Sequence, residues 1–168
     1  MNMIEAQQLE KTYVIGKNHE VHVLKQINLS IRKGEFVSVM GPSGSGKSTL
    51  LYLLSGMDRL SRGRVSFNEQ DIGKMSEKDL SKLRLYNMGF IFQDNHLLSH
   101  LSIFDNIILP AYTAKKISRK DINDRARQLM IHLGIEELAE HDITQASGGQ
   151  LQRVAICRAL INEPEIIF

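Results

Sequence analysis

The sequence predicts an α/β fold that carries a helical lobe, and three observations support this prediction. Approximately residues 1–93 are rich in strand patterns, a glycine-rich loop lies between a strand pattern and an apolar helix pattern, and residues 94–144 have helical character. The chain has 168 residues, of which 42% are hydrophobic and 24% are charged. These values are ordinary for a soluble globular protein, so wholesale disorder is excluded.

The elements of the first half follow from spacing and from turn residues. Residues 9–31 read as β-rich, and a half-buried strand is indicated by the spacing, mostly of two positions, of Leu24, Ile27, Leu29 and Ile31. Lys33 and Gly34 predict a turn, and residues 35–40 predict a short strand that ends at the glycine-rich loop. Residues 50–54 predict a helix, and residues 64–67 predict another strand.

The elements of the second half carry helix start and stop signals. Ser76 with Asp79 three positions later predicts the start of a helix that runs toward Tyr86. Residues 88–92 predict a buried strand that ends at Gln93. A helix is predicted with Gly134 as its C-terminal cap, on the spacing of Ile122, Ala126, Leu129, Met130 and Leu133.

The last residues predict a second helix and a strand. Ser147 precedes a helical stretch with one face made of Leu151, Val154, Ala155, Arg158 and Ala159. Residues 166–168 are apolar, follow a charged turn, and predict the start of a buried strand. Since a natural domain seldom ends within a strand, we expect this chain to be a fragment.

Charge, cysteine content and hydropathy exclude several classes of protein. Lysine and arginine number 21 and aspartate and glutamate 19, so the net charge of 21 − 19 = +2 predicts no nucleic-acid partner. The single cysteine, Cys157, predicts a reducing compartment. The N-terminal residues have no signal-peptide pattern, and no apolar run has the ~18 residues of a membrane span, which together predict a cytoplasmic chain.

Residues 41–48 match G-x-x-x-x-G-K-[ST], the phosphate-binding loop. Glycines allow positive φ, so that backbone N–H groups and the following helix surround a phosphate. Lys47 supplies a mobile positive charge, and the Ser48 hydroxyl is a ligand for Mg²⁺. The alternative is a surface turn rich in serine and glycine. The flanking strand and helix patterns favour binding of a nucleoside triphosphate.

Three motifs together resemble the ATP-binding-cassette ATPases. Residues 41–49 resemble the Walker A motif, Gln93 after Phe90-Ile91-Phe92 resembles the Q-loop, and residues 147–150 (Ser-Gly-Gly-Gln) resemble the signature motif. The resemblance covers essentially the whole chain, including residues 153–160. The amino-acid sequence of residues 34–41 is similar to that of the macrolide-exporter and lipoprotein-releasing subfamily. The number of residues between Gly46 and Gln93 is also similar to that of this subfamily. Ala146 and Ile143 stand where the family usually has Leu and Pro.

The resemblance implies a P-loop NTPase core with an N-terminal antiparallel β subdomain and a helical insertion lobe. The implied parts are a β-rich and P-loop core at approximately 1–93, the lobe at 94–146, and the signature helix with the start of the Walker B strand at 147–168. Lys47 and Gln93 are the implied catalytic residues, and Ser48 and Gln93 the implied ligands of Mg²⁺. The implied ATP-binding residues are Tyr13, Gly41, Ser43, Gly44, Ser45, Gly46, Lys47, Ser48, Thr49, Ser147, Gly148, Gly149 and Gln150.

Several of these roles have a structural alternative. Tyr13 resembles the aromatic residue that stacks on adenine, but a tyrosine that packs across strands would look the same. The alternative for Gln93 is a polar residue that ends a strand and has no catalytic role. The alternative for Ser147 is an ordinary helix N-cap. Two interpretations are open for Leu97, Leu98 and Phe104. They either line a groove that receives a helix of the permease or pack in the core of the helical lobe.

The resemblance implies the ATPase subunit of a bacterial ABC transporter, which exports a peptide, a lipoprotein or an antibiotic. Its partners are a membrane permease and a second copy in a head-to-tail dimer on ATP, at the inner face of the cell membrane. The Walker B Asp and the catalytic Glu of the family lie downstream of Phe168, so we expect these 168 residues to bind ATP with little turnover.

The alternative within the family is a truncated module that binds ATP without turnover, and for these 168 residues it fits better than catalysis. Functions outside the family fit the sequence less well. Cassette proteins that act on DNA or ribosomes carry coiled-coil insertions or a second cassette, which this sequence lacks, and a metabolic kinase does not explain residues 147–150.

Overall fold

A computed structural model of the protein describes residues 2–16 and 19–168. The chain forms two compact units, Met1–Ser81 and Lys82–Phe168. Within the described ranges, no helix is both long and apolar enough to cross a lipid bilayer.

The first unit is built on a four-stranded antiparallel sheet with the order β2-β1-β3-β4. Strand β1 (Asn2–Ile15) pairs with β2 (His19–Arg32) on one side and with β3 (Arg62–Phe67) on the other, and β4 (Gln70–Asp71) pairs with β3. The strands predicted within residues 9–31 and 64–67 are confirmed. The antiparallel arrangement agrees with the N-terminal β subdomain that the resemblance implied.

The core of the first unit lies against this sheet. Ile4 and Leu9 of β1 and Val65 and Phe67 of β3 are almost completely buried. The helix predicted after the glycine-rich loop is confirmed as α1 (Lys47–Leu54), whose Leu53 and Leu54 are also buried. Burial of apolar surface of this kind is the main driving force of folding.

The strand predicted over residues 35–40 is wrong. These residues have no regular secondary structure, and Phe36 and Met40 are 98% and 87% exposed. The residue pattern is apolar and suits a buried strand. A strand is nevertheless stabilised by a neighbour that accepts its hydrogen bonds, and none of the described strands pairs with this segment.

Helix α2 (Glu77–Asn87) begins where its capping signal predicts. The Ser76 hydroxyl accepts a hydrogen bond from the Asp79 amide at 3.2 Å and donates one to the Asp79 carboxylate at 2.6 Å. This contact satisfies one amide that the first turn of a helix leaves without a backbone partner.

The second unit contains a short parallel pair of strands, β5 (Met88–Gly89) and β6 (Ile166–Ile167). The strand predicted over residues 88–92 is therefore confirmed only at its start, although the Ile91 amide donates to the Phe168 carbonyl at 2.9 Å. Strand β6 begins where predicted. Its predicted burial is wrong for Ile167, which is 48% exposed because β6 pairs on one side only among the described strands.

The second unit also contains three α-helices: α3 (Ile103–Ala114), α4 (Arg119–His132) and α5 (Gly148–Leu160). Two short 3-10 helices, Glu136–Leu138 and Ile143–Gln145, lie between α4 and α5. The predicted start of a helix after Ser147 is confirmed in α5, and the predicted end near Gly134 is confirmed in α4, since Gly134, with φ of 62°, follows the end of that helix. Leu97 and Phe104 pack against the core, which fits the core alternative for these two residues. The buried core is Ile103, Ile107, Ile108, Ala111, Ile122, Ala126, Met130, Ile135, Leu138, Ala139, Val154, Cys157 and Ile161.

Candidate functional site

The phosphate-binding loop of the first unit leads directly into α1. Gly44 and Gly46 have φ of 78° and 89°, a conformation that L side chains rarely adopt. A Cβ on Gly46 would also lie 3.0 Å from a methyl group of Leu24 in β2. Both the backbone conformation and the close packing therefore favour glycine at position 46.

Helix α1 begins without a side-chain cap, because its N-cap residue is Gly46. The amides of the first turn of a helix have no partner within the helix, and the helix dipole places partial positive charge there. Lys47 folds back over the loop, and its ammonium donates to the carbonyls of Gly41 at 3.0 Å and Pro42 at 2.8 Å. The loop thus gathers an ammonium and a helix N-terminus, both of which attract an anion.

The remaining predicted loop residues lie on the same surface. The Ser45 amide donates to the Pro42 carbonyl at 3.3 Å, which closes the turn of the loop. Ser43 and Ser48 are exposed, and Thr49 is half-buried in the first turn of α1. The structure therefore brings residues 41–49 together as the sequence predicts.

Tyr13 lies near the end of β1, opposite Val21 of β2, and is 38% exposed. Its hydroxyl donates to Asp58 at 2.7 Å. Burial raises the pKa of Tyr13, and the hydrogen bond to Asp58 raises it further, while a hydrogen bond with Thr49 lowers it. The phenol oxygen thus contacts both Asp58 and α1, within the same unit as the phosphate-binding loop.

Gln93 of the second unit is exposed and follows a row of aromatic rings. Phe90 stacks on Phe92 with ring centroids 5.9 Å apart and on Phe168 with centroids 5.6 Å apart. The rings of Phe92 and His96 form a T-shaped pair with centroids 5.1 Å apart. The rings fix the backbone on both sides of Gln93 and leave its amide on the surface.

Two polar side chains hold the segment that follows Gln93. The Arg158 guanidinium donates to the carbonyls of Asn95 at 2.5 Å and His96 at 2.7 Å, which joins this segment to α5. Asn106 is almost completely buried, and it both accepts from the Leu98 amide at 2.7 Å and donates to the Leu98 carbonyl at 3.0 Å. The segment that follows Gln93 is therefore attached to α3 and α5.

The predicted signature residues form the N-terminus of α5. The Ser147 hydroxyl accepts from the Gln150 amide at 3.4 Å, and the Gln150 side chain accepts from the Ser147 amide at 2.8 Å. This is a capping box, so the helix-cap interpretation of Ser147 is correct and is compatible with a binding role. Gly148 and Gly149 face open space, since a Cβ on either would meet nothing within 4 Å.

Sequence reasoning missed four side chains that support these motifs: Lys11, Asp58, Asn106 and Arg158. Lys11 precedes Tyr13 by two positions, and this period-2 spacing is the signal that could have found it. Asp58 and Asn106 carry no comparable local signal. The sequence pattern places Arg158 on one face of the last predicted helix and indicates no role for it.

A glycine-rich loop that opens an uncapped helix, with a lysine folded over the loop, defines a P-loop nucleotide-binding protein. Comparison with known proteins gives the family. The family model described as ABC transporter matches residues 24–168. The chain therefore belongs to the ABC transporter family, as its ATPase domain, and the predicted P-loop NTPase fold is confirmed.

The relatives agree with the predicted subfamily. The lipoprotein-releasing system ATP-binding protein LolD of Wigglesworthia glossinidia brevipalpis is 42% identical over 168 residues, which are 100% of this chain and 72% of the relative. The bacitracin export ATP-binding protein BceA of Halalkalibacterium halodurans is 42% identical over 168 residues, 100% of this chain and 66% of the relative. A dimeric structure of MJ0796, a bacterial ABC transporter cassette, has a TM-score of 0.91 and 39% identity, over 98% of this chain and 72% of that chain.

Proposed function

We propose that the chain binds Mg-ATP at residues 41–49 and supplies the ATPase part of a bacterial exporter. The observation that carries this proposal is the phosphate-binding loop itself. Its glycines open the uncapped N-terminus of α1, and the Lys47 ammonium lies against the loop carbonyls, 3.0 Å from Gly41 and 2.8 Å from Pro42. A triphosphate supplies better acceptors than these carbonyls, because its oxygens are charged.

Each residue of the loop has a role in this proposal. The amides that follow Gly44 and Gly46 donate to the β-phosphate, and Lys47 reaches the β- and γ-oxygens. Thr49 adds a hydroxyl in the first turn of α1, and the Tyr13 ring stacks on the adenine. Together these groups hold the nucleotide by its charge and by its flat base.

The oxygen donors present suit Mg²⁺, the metal that the family resemblance implies. Mg²⁺ prefers oxygen ligands and retains several waters, and the exposed Ser48 hydroxyl and Gln93 amide oxygen are ligands of that kind. When bound, Mg²⁺ neutralises charge on the phosphate oxygens. Gln93 would also orient the attacking water.

We further propose that the signature residues act on ATP held by a second copy of the chain. Ser147, Gly148, Gly149 and Gln150 open α5, and the space over the two glycines is empty in the single chain. The N-terminus of a 13-residue helix favours an anion such as a γ-phosphate. Two copies in a head-to-tail arrangement with twofold symmetry would form two composite sites.

The proposed setting is a membrane transporter. LolD and BceA are named for lipoprotein release and bacitracin export, and MacB of Pasteurella multocida, of which this chain covers 25%, is named as an ATP-binding and permease protein. We therefore propose a separate permease as partner, a peripheral position at the inner face of the membrane, and a peptide, lipoprotein or antibiotic as cargo. The proposed internal division is approximately 1–93, 94–146 and 147–168.

The test is to compare Lys47→Ala with Lys33→Ala, which removes the same charge from an exposed turn. Binding of a fluorescent ATP analogue and release of phosphate are measured on the same samples, so that binding and turnover are separated. A hydrogen bond to a charged group contributes about 1.5–3 kcal/mol, so Lys47→Ala should weaken binding by about 10- to 150-fold. Equal affinity of the two variants would contradict the proposed site.

A further inference from the structure

Lys11 is a lysine inside the first unit, with only 7% of its surface exposed. Lysine is almost never buried unless its charge is paired. Its ammonium donates to the Asp58 carboxylate at 2.8 Å and to the Arg59 carbonyl at 2.6 Å. Neither residue belongs to the motifs that the proposed function uses, so this buried ion pair needs a reason of its own.

Asp58 links Lys11 to Tyr13, because each of its two carboxylate oxygens accepts a hydrogen bond from one of these side chains. Oδ1 accepts from Lys11 and from the Arg59 amide at 2.7 Å, and Oδ2 accepts from the Tyr13 hydroxyl at 2.7 Å. Burial raises the pKa of Asp58, but the hydrogen bonds from Lys11 and Tyr13 outweigh burial and lower it overall. The carboxylate therefore stays ionised at neutral pH and holds both donors.

Lys11 also contacts the Tyr13 ring directly. Its ammonium lies over the ring, 4.5 Å from the centroid, which is the geometry of a cation–π interaction. This contact occupies one face of the ring. A base that stacks on Tyr13 therefore has the other face.

The fourth member of the network is Thr49 of α1. Thr49 lies near the Tyr13 phenol, and its side chain lowers the pKa of Tyr13. Thr49 is the third residue of the helix that begins at the phosphate-binding loop. The ring is thus held by the ion pair and lies beside the helix that begins at the phosphate-binding loop.

We propose that Lys11 and Asp58 are positioning residues that hold the Tyr13 ring at a fixed orientation to α1, with one ring face covered, so that the base of the nucleotide stacks on the other face. This inference rests on the proposed function, since it assumes that ATP binds at the loop. It adds two residues that act through Tyr13 and do not touch the phosphates.

The test separates the base from the phosphates by using two probes, ATP and inorganic tripolyphosphate. Binding of each to the full chain is measured by calorimetry for Lys11→Met, Asp58→Asn and Tyr13→Phe, which keeps the ring and removes only the hydroxyl. Stacking on an aromatic side chain is worth ~5- to 150-fold in affinity per base, and we expect these variants to lose about 3- to 30-fold for ATP. Affinity for tripolyphosphate should stay within about twofold, because the phosphate contacts are unchanged.

Controls fix the scale of the measurement. Tyr13→Ala removes the ring and sets the largest loss for ATP, and Lys25→Met removes one charge from an exposed position of β2. Lys25→Met should leave both affinities unchanged, and Lys11→Arg should restore most of the affinity for ATP.

The outcomes distinguish the two levels of the proposal. Loss of ATP affinity with tripolyphosphate unaffected supports the positioning role. Equal loss for both probes means that the network only stabilises the fold and overturns the inference, as does no loss for either probe. A wild-type chain that binds neither probe overturns the proposed function itself, and with it this inference.

Discussion

Cys157 offers a quantitative test of the packing of α5, because it is the single cysteine of the chain. Its thiol is completely buried in the core of the second unit. Burial raises its pKa from an ordinary 9.0 to about 12. Only the thiolate reacts with disulfide reagents, so the side chain should be inert while α5 stays packed.

The size of the effect follows from this pKa. A rise from 9.0 to about 12 is three powers of ten, so at neutral pH the native thiol has about 1,000-fold less thiolate than an unfolded one. Burial also blocks access of the reagent to the thiol, which slows the reaction beyond the effect of the lower thiolate fraction. We expect the reaction of the native chain with a chromogenic disulfide reagent to be at least about 1,000-fold slower than that of the chain in concentrated urea.

A matched control places an exposed cysteine on the same protein. The double variant Cys157→Ala with Lys120→Cys has its thiol on the surface of α4 and should react at nearly the unfolded rate. If native Cys157 reacts as fast as this control, α5 is not packed as described, and the structural argument for the signature helix fails with it.

Two further predictions concern polar side chains. Asn106→Leu leaves the amide and carbonyl of Leu98 without their partner, so it should reduce the free energy of unfolding in urea by about 2–5 kcal/mol, whereas the exposed Gln128→Leu should change it by less than about 0.5 kcal/mol. Asp58 has a folded-state pKa below its ordinary value, so it stabilises the fold above about pH 4, and this contribution is lost as the pH falls through the lowered pKa. The stability difference between wild type and Asp58→Asn should therefore shrink between pH 7 and pH 3, and a constant difference would contradict the assignment.

The parts of the fold that the sequence predicts correctly depend on local physics. The starts of α2 and α5 follow from capping by Ser76 and Ser147, and the phosphate-binding loop follows from glycines and a lysine within nine positions. The strands of the first unit follow from period-2 spacing. All these signals are complete within a few residues, so the sequence alone carries them.

The parts of the structure that the sequence does not predict depend on residues far apart along the chain. Residues 35–40 have an apolar pattern that suits a strand, but pairing decides whether a strand forms, and periodicity does not report it. Lys11 and Asp58 are 47 positions apart, and Arg158 reaches a carbonyl 63 positions away. The pairing of β1 with β2 also shifts register on both sides of Lys11. Such shifts change which side chains face inward, so the burial of Lys11 is harder to predict from spacing.

The glycines of the two predicted phosphate-binding motifs differ in a way that bears on assembly. Gly46 is favoured by the chain itself, since its φ is positive and a side chain would contact Leu24 closely. Gly148 and Gly149 are the first two residues of α5, and no neighbour within the described structure forbids a side chain there. A glycine that internal packing does not require leaves room for an external group to approach the backbone closely. The proposed γ-phosphate on a second copy is such a group, and this difference between the two motifs supports the proposal that residues 147–150 complete a site on another chain.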